Sequence, residues 1–464
     1  MHILISQRKV SDQCRKLLYA LMTVMVFEGI LRKLLLPLSM VIFFMKDLLC
    51  IASIAVLWKS HLPSALVSLK STWVKMAFLF IPLLYFTGFK DPILAFFAFK
   101  QYLLYAVIAG LVVMSFPLRE TEAFRRFLFF AALLLVPTTV VALLQNALPA
   151  SHWLNTSIGG ESLEAFSAAG YLRVGSTFSF TAQYSWFLNA EAFLLATSFF
   201  IQPAFDSKIG KIIKPFIYGV LLLMLAVSAF VTGGRTAVLG CGGTLAVGMA
   251  LISIKRPQWF LSKGLVIIGV AIFSLGALRV AQPQYFSAYE ERSSDDAGAG
   301  AATNNEKVAG RIGNGFTEWT TWFWDQDVPA MVLGNGLGIM SNGANQLSSY
   351  AANIRNTGYW TEGDVSTTFW EGGLYLAFLW YGFRLMMIAL CFRLWYAIKD
   401  QTLAAAASVP LAYVLIHGLV AQLGMQPPLS IWWWLAIGII LSLHSLYQYQ
   451  RLSAKKPKLA LHEG

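Results

Sequence analysis

Three arginines of this chain stand beside or close to glycine: Arg173 in YLRVGSTFSF, Arg235 in VTGGRTAVLG and Arg311 in AGRIGNGFTEW. A guanidinium presents a planar fork of donors that grips two phosphate oxygens at once, and nearby glycine lets backbone N–H groups reach the same anion. The chemistry this suggests is binding of a phosphate or diphosphate. Acids that could take a proton from a nucleophile lie downstream: Glu362 and Asp364 in YWTEGDVSTTFW, and Glu371 in FWEGGLYLAF. Plainer roles stand beside these. Arg173 and Arg235 can snorkel to lipid headgroups, and Asp364, followed by Ser366 and Thr367, suits the first turn of a helix. His417 is a reserve base, although a lone helical histidine is usually packed and hydrogen-bonded.

The sequence has no Walker A loop, HExxH or GxSxG. The chemistry expected is therefore free of metal and cofactor, with an already activated substrate supplied from outside.

The elements that position these residues are membrane helices. Hydrophobic residues make up 57% of the 464 and charged residues only 12%, against roughly 25% charged in an ordinary soluble protein. The excess of 35 Lys and Arg over 23 acids gives a net charge of +12, which in a soluble chain would raise the question of nucleic acid. Here the cations sort by membrane side, and no nucleic-acid partner is expected. Apolar runs able to cross about 30 Å of hydrocarbon number about twelve. They begin near Leu17, Leu38, Trp73, Ile93, Phe127, Ala182, Pro215, Thr236, Gly264, Thr367, Leu403 and Leu429. Basic residues gather in alternate loops such as KIGKIIK, which places both termini in the cytoplasm under the positive-inside bias.

The expected fold is an all-α integral membrane protein, with a large extracytoplasmic loop between the ninth and tenth helices. Residues 1–281 would hold nine helices and a shorter outer loop at 149–181. Residues 282–366 form the long loop, and 367–464 hold the last three helices and a basic tail. The first half of the long loop is small and polar and cannot build a core. Its second half carries the aromatics Phe316, Trp319, Trp322, Phe323 and Trp324, and is expected to pack a short amphipathic helix onto the membrane domain. Cys14, Cys50, Cys241 and Cys391 all fall in apolar segments or at their ends and indicate no disulfide framework. The N-terminus, which lacks a small-residue cleavage site, reads as a retained first helix.

In order, RVGSTFSF, then GGRTAVLG opening a helix, then a long loop with GNGLG and a closing EGGLYLAF resemble the O-antigen ligase and O-antigen polymerase superfamily. FEGILRKLLLP near the N-terminus also resembles a subgroup of it. The likeness covers about Leu172 to Phe378 and rests on short, degenerate motifs. It implies a twelve-helix protein of the bacterial cytoplasmic membrane with its periplasmic loop between helices nine and ten. It also implies a GT-C-like glycosyltransferase that moves a glycan from polyprenyl diphosphate to a glycan acceptor. Arg173, Arg235 and Arg311 match the family's arginines.

Members of the ligase branch carry a histidine near the end of the long loop. Here that place reads DVSTTFWEGG, with no histidine from Gln282 to Ser366. The departure favours a polymerase-like member and leaves the base to Asp364 or Glu362, with Glu371 either assisting or fixing the helix start. Implied partners are a polyprenyl-diphosphate-linked oligosaccharide, a glycan acceptor, membrane lipids, and a chain-length regulator or export complex. The competing class is a transporter whose polar path would be lined by Glu28, Asp47, Lys100, Glu191 and Arg384. A ligase acting on a lipid A core-like acceptor, and a non-catalytic envelope subunit, are further alternatives.

Overall fold

The computed structural model describes residues 2–58, 60, 63–118, 120–160, 162, 167, 172–201, 208–265, 313–341, 343–356 and 363–460, with scattered positions from 268 to 283. Arg311, Glu362 and most of the expected ninth crossing, which begins near Gly264, lie outside the described residues. The described residues form helices joined by short connections and one irregular segment, with no strand beyond a lone bridge between Thr156 and Ser162.

In chain order the main helices are α1 (His2–Leu34), α2 (Ser39–Trp58), α3 (Ser64–Lys90), α4 (Pro92–Tyr102), α5 (Val107–Ser115), α6 (Thr121–Leu133), α7 (Leu135–Ala147), α8 (Thr181–Phe200), α9 (Lys208–Val231) and α10 (Arg235–Lys255). There follow α11 (Val328–Leu333), α12 (Asp364–Ala397), α13 (Gln401–Val420) and α14 (Pro427–Ala460). Among the described residues, nine helical stretches are long and apolar enough to cross a membrane, with α4–α5 and α6–α7 each counting as one. The protein is a multi-pass, all-α membrane protein.

The helices divide by burial. The apolar stretch of α14 is 89% buried and that of α13 78%, whereas that of α3 is 22% buried. A helix apolar all round and enclosed belongs at the centre, and one that leaves Phe78, Tyr85 and Phe89 exposed turns a side to lipid. Small residues set the central spacing. A Cβ at Gly248 of α10 would stand 2.7 Å from Val409 of α13, and one at Gly438 of α14 would stand 2.8 Å from Val112 of α5.

Helix ends gather at two faces. At one, Ile30 N–H donates to Thr177 O at 2.9 Å, Lys33 Nζ to Leu154 O at 2.7 Å, and Lys90 Nζ to Asn335 O at 3.0 Å. This loop face carries the described residues of 148–180 and 313–363. At the other, Arg15 bonds Ser115 O and Glu120, and Lys255 reaches the carbonyls of Tyr396 and Ile398. These pairings put the C-terminal ends of α1 and α3 at the first face and those of α10 and α12 at the second.

The 34-residue α12 does not run straight. Gly373 has φ 57° and ψ −155°, a region open essentially to glycine, and the chain reverses there. The segment 364–372 lies back along the first turns of 374–397, as the contacts of Asp364 below demonstrate. α11, preceded by short 3-10 turns at Glu318–Thr321 and Phe323–Asp325, packs against α12. Trp319 stacks on Phe369 at 4.0 Å with rings nearly parallel, and Trp322 meets Trp370 edge-on. The aromatic half of the long loop thus sits on the membrane helices, while Trp324 and Val328 stay about 70% exposed.

Candidate functional site

Irregular backbone buried at a helix bundle needs other groups to satisfy its N–H and C=O atoms, and the segment 172–180 is held in this way. Gln145 Oε1 accepts from Ser176 N–H at 2.6 Å, and Ser176 Oγ donates to Thr138 O at 2.6 Å. Thr177 Oγ1 donates to Val26 O at 2.5 Å. Among the described residues Ser176 alone adopts a positive φ, 53°, without being glycine. The strain, of order 1–3 kcal/mol, is sustained by those bonds. Gly29 closes the same contact from α1: a Cβ there would fall 2.0 Å from Phe178 C. The motifs FEGILRK and RVGSTFSF are therefore seated on each other.

This anchoring carries Arg173 to the turn between α9 and α10. A Cβ on Gly233 would stand 3.7 Å from Arg173 Cγ, and Gly233 itself has φ 60°. Thr181 Oγ1 donates to Arg173 O at 2.9 Å, Thr232 Oγ1 accepts from Gly234 N–H at 3.0 Å, and Ser185 lies against Gly234. Arg235 follows as the first residue of α10, whose N-cap Gly234 has no side chain to cap it. Arg173 and Arg235, 62 positions apart in sequence, thus flank one turn at the loop face. Both are half-buried. The N-terminal amides of a 21-residue helix add positive potential at the same place.

The acids lie in a second cluster, built around the reversal in α12. Asp364 is 9% exposed and Arg384 fully buried. Arg384 Nη1 and Tyr381 OH both bind Asp364 Oδ2, the latter at 2.6 Å. Arg384 also donates from Nε to Gly418 O at 2.7 Å and from Nη2 to Ala421 O at 2.9 Å and His417 O at 3.3 Å. It thereby satisfies the carbonyls left open at the C-terminus of α13, where a cation also suits the dipole.

Glu371 is fully buried at the turn itself. Its Oε2 accepts from Tyr102 OH at 2.9 Å and its Oε1 from Met340 N–H at 2.9 Å. The loop GNGLG wraps this turn with its backbone. Asn335 N–H donates to Trp370 O at 2.8 Å and Gly336 N–H to Glu371 O at 3.0 Å. A Cβ on Gly334 would stand 2.3 Å from Gly372 N, and one on Gly373 2.5 Å from Met331 O. Nearby, Lys90 Nζ and Tyr350 OH both donate to Asn335 O at 3.0 Å, and partial burial holds the Tyr350 phenol above its ordinary pKa.

His417, the reserve base, is 5% exposed, stacked on Tyr413 at 3.9 Å, with Nδ1 3.2 Å from Tyr413 O and Nε2 3.5 Å from Asn189 Nδ2. Asn189 in turn accepts from Cys241 Sγ at 3.4 Å and lies against Gly240 on α10. Through Asn189 and His417 the helix that begins at Arg235 is linked to the residues around Arg384. Among the described residues no group of three His, Cys, Asp or Glu side chains is placed to hold a metal.

The structure thus joins Arg173 with Arg235, and places Asp364 and Glu371 at opposite ends of one short re-entrant helix. Arg384, Tyr381 and Tyr102 complete the acid cluster, and the sequence reading assigned none of them to it. The only trace of their roles was the pair Gly372–Gly373, which permits the reversal that brings them together. The ions expected along a transporter path separate into local groups. Glu28, Arg32, Lys46, Asp47 and Lys100 form one network, Arg384 belongs with Asp364, and Glu191 is buried elsewhere in α8. No family model, no curated protein and no solved structure matches the chain.

Proposed function

We propose that this protein is a membrane-embedded glycosyltransferase that polymerises glycans carried on polyprenyl diphosphate, or ligates them to an acceptor, on the outer face of a bacterial cytoplasmic membrane. The chain crosses that membrane twelve times with both termini in the cytoplasm, so the loop face is periplasmic. One observation carries the reading: Arg173 and Arg235 flank a single glycine turn at the loop-face end of a membrane helix. A diphosphate whose lipid tail lies in the bilayer would meet two cations and the positive end of α10 there.

The step is an inverting transfer. An acceptor hydroxyl attacks the anomeric carbon, the bond from that carbon to the diphosphate oxygen breaks, and the hydroxyl proton passes to a carboxylate. Arg173, Arg235 and Arg311 take up the charge that gathers on the leaving diphosphate. Asp364 or Glu362 accepts the proton. Tyr381 and Arg384 hold Asp364 through Oδ2, which leaves Oδ1 as the atom that would face the hydroxyl. Glu371, with both oxygens engaged, fixes the turn on which Asp364 is carried. The local pairing of the mid-membrane ions favours this reading over a continuous transport path.

Reconstitution of the purified protein with lipid-diphosphate oligosaccharide and acceptor tests the proposal. A ladder of longer glycans together with released polyprenyl diphosphate supports it. Movement of a solute across liposomes, with no lipid diphosphate released for any acceptor, would replace it with the transporter.

A further inference from the structure

A group of charges on α1, α2 and α4 lies apart from both clusters above. Lys46 Nζ pairs with Glu28 Oε2 at 2.7 Å and Lys100 Nζ with Asp47 Oδ2 at 2.8 Å, while Tyr105 OH donates to Asp47 Oδ1 at 2.5 Å. These four ions are 4% exposed or less. Arg32 is the fifth member and has only a 3.4 Å share in Glu28 Oε1. Among the described residues three cations face two carboxylates, and all three cations stand over the Phe43 ring, at 5.0 Å for Arg32, 4.3 Å for Lys46 and 4.9 Å for Lys100. The network carries a surplus positive charge inside an apolar bundle, where an uncompensated ion is costly.

The surplus falls on Arg32. Its side chain is 17% exposed and opens at the loop face beside two hydroxyls, Ser39 Oγ at 3.1 Å from Nε and Ser179 Oγ at 3.3 Å from Nη1. Directly beyond it, Leu34, Leu35, Leu36, Leu38 and Met40 are 46–60% exposed. A cation flanked by hydroxyls and bordered by bare leucines suits a molecule with a phosphate head and hydrocarbon chains. We propose that Arg32, Ser39 and Ser179 form a second anion site, which holds the phosphate of an anionic lipid while its chains cover Leu34–Met40. The bound anion neutralises the α1–α2–α4 network. This holds whether or not the protein transfers glycans.

The test uses the full chain in neutral detergent. Thermal midpoints are followed while phosphatidylglycerol, a diacylglycerol of the same chains, or inorganic phosphate is added. Phosphatidylglycerol should raise the midpoint saturably, and the other two should not. Arg32→Gln should weaken the apparent affinity about tenfold or more, the scale of one lost charge-assisted hydrogen bond. Arg126→Gln, an exposed cation on α6 that pairs with Glu122 at 3.5 Å, should leave it unchanged. If Arg32→Gln does not fold, Ser39→Ala with Ser179→Ala keeps the Glu28 pair and removes only the hydroxyls, and should also weaken binding. Equal responses in wild type and variants, or an equal rise with diacylglycerol, would overturn the site. A rise with inorganic phosphate alone would overturn its assignment to lipid.

Discussion

Asp364 and Arg384 form a buried ion pair although twenty positions of a single apolar run separate them. In a straight helix they would stand about 30 Å apart. The reversal at Gly373 removes that distance, and it sets an acid and a cation together within the bundle with Tyr381 as third partner. Neither residue can be altered without consequence for the other.

Arg384→Met should destabilise the protein by about 3–5 kcal/mol, because it leaves Asp364 charged and uncompensated among buried neighbours. The double variant Asp364→Leu with Arg384→Met should cost clearly less than the sum of the two single changes. Denaturant unfolding in detergent measures the coupling. Strict additivity would mean that the pair does not act as a unit.

Gly373→Ala should be more damaging than its size suggests. The added methyl group would meet Met331 O at 2.5 Å and Val332 backbone at 2.6 Å, in a backbone conformation L residues avoid. Strain of about 1–3 kcal/mol would add to the displacement of α11. The expected outcome is a large fall in thermal midpoint and early proteolysis in 313–341. A variant as stable as wild type would contradict the reversal.

For the glycan transfer proposed above, Arg235→Ala and Arg173→Ala should each lower the rate on the order of 100-fold, the scale of one lost donor to a developing charge, with little change in thermal midpoint. Arg235→Lys should not restore activity, since an ammonium lacks the fork. Full activity in the lysine variant would show that charge alone suffices at this turn.

Glu371→Gln should act on stability before turnover. Its two oxygens accept from Tyr102 OH and Met340 N–H, and an amide can keep only one of these as an acceptor, a loss of about 1–3 kcal/mol. Tyr102→Phe should relieve part of that loss. Activity per folded molecule should stay within about tenfold of wild type; a complete loss in a fully folded variant would make Glu371 a direct participant.

How far the sequence could be read follows from the range of each signal. Apolar runs and alternating basic loops are local, so the beginnings near Leu38, Ala182, Thr236 and Leu403 fall within two residues of the starts of α2, α8, α10 and α13. The association of Arg173 with Arg235 was suggested by their shared type and glycine neighbours, but the approach of Arg173 to the turn before Arg235 depends on Ser176 bonding to Gln145 and Thr138, which no spacing announces. The reversal in α12 was hidden for a different reason. EGGLYLAF is as apolar as the residues after it, so hydropathy runs through Gly373 without a break. Pairing of Lys100 with Asp47 was equally out of reach, since it needs the register of α4 against α2.

The glycine seam at Gly334, Gly336 and Gly373 bears on how this architecture could be recombined. Its joints are main-chain hydrogen bonds and atoms too close to admit a side chain, reinforced by Leu337 N–H on Thr87 Oγ1 and Ser348 Oγ on Asp91 Oδ2, about 250 positions earlier in the chain. The 313–356 segment is therefore not an interchangeable cassette. A graft that replaced 313–356 with a foreign sequence would have to reproduce Gly334 and Gly336 in register with Gly373, or Glu371 would lose its seat and Asp364 its bearing.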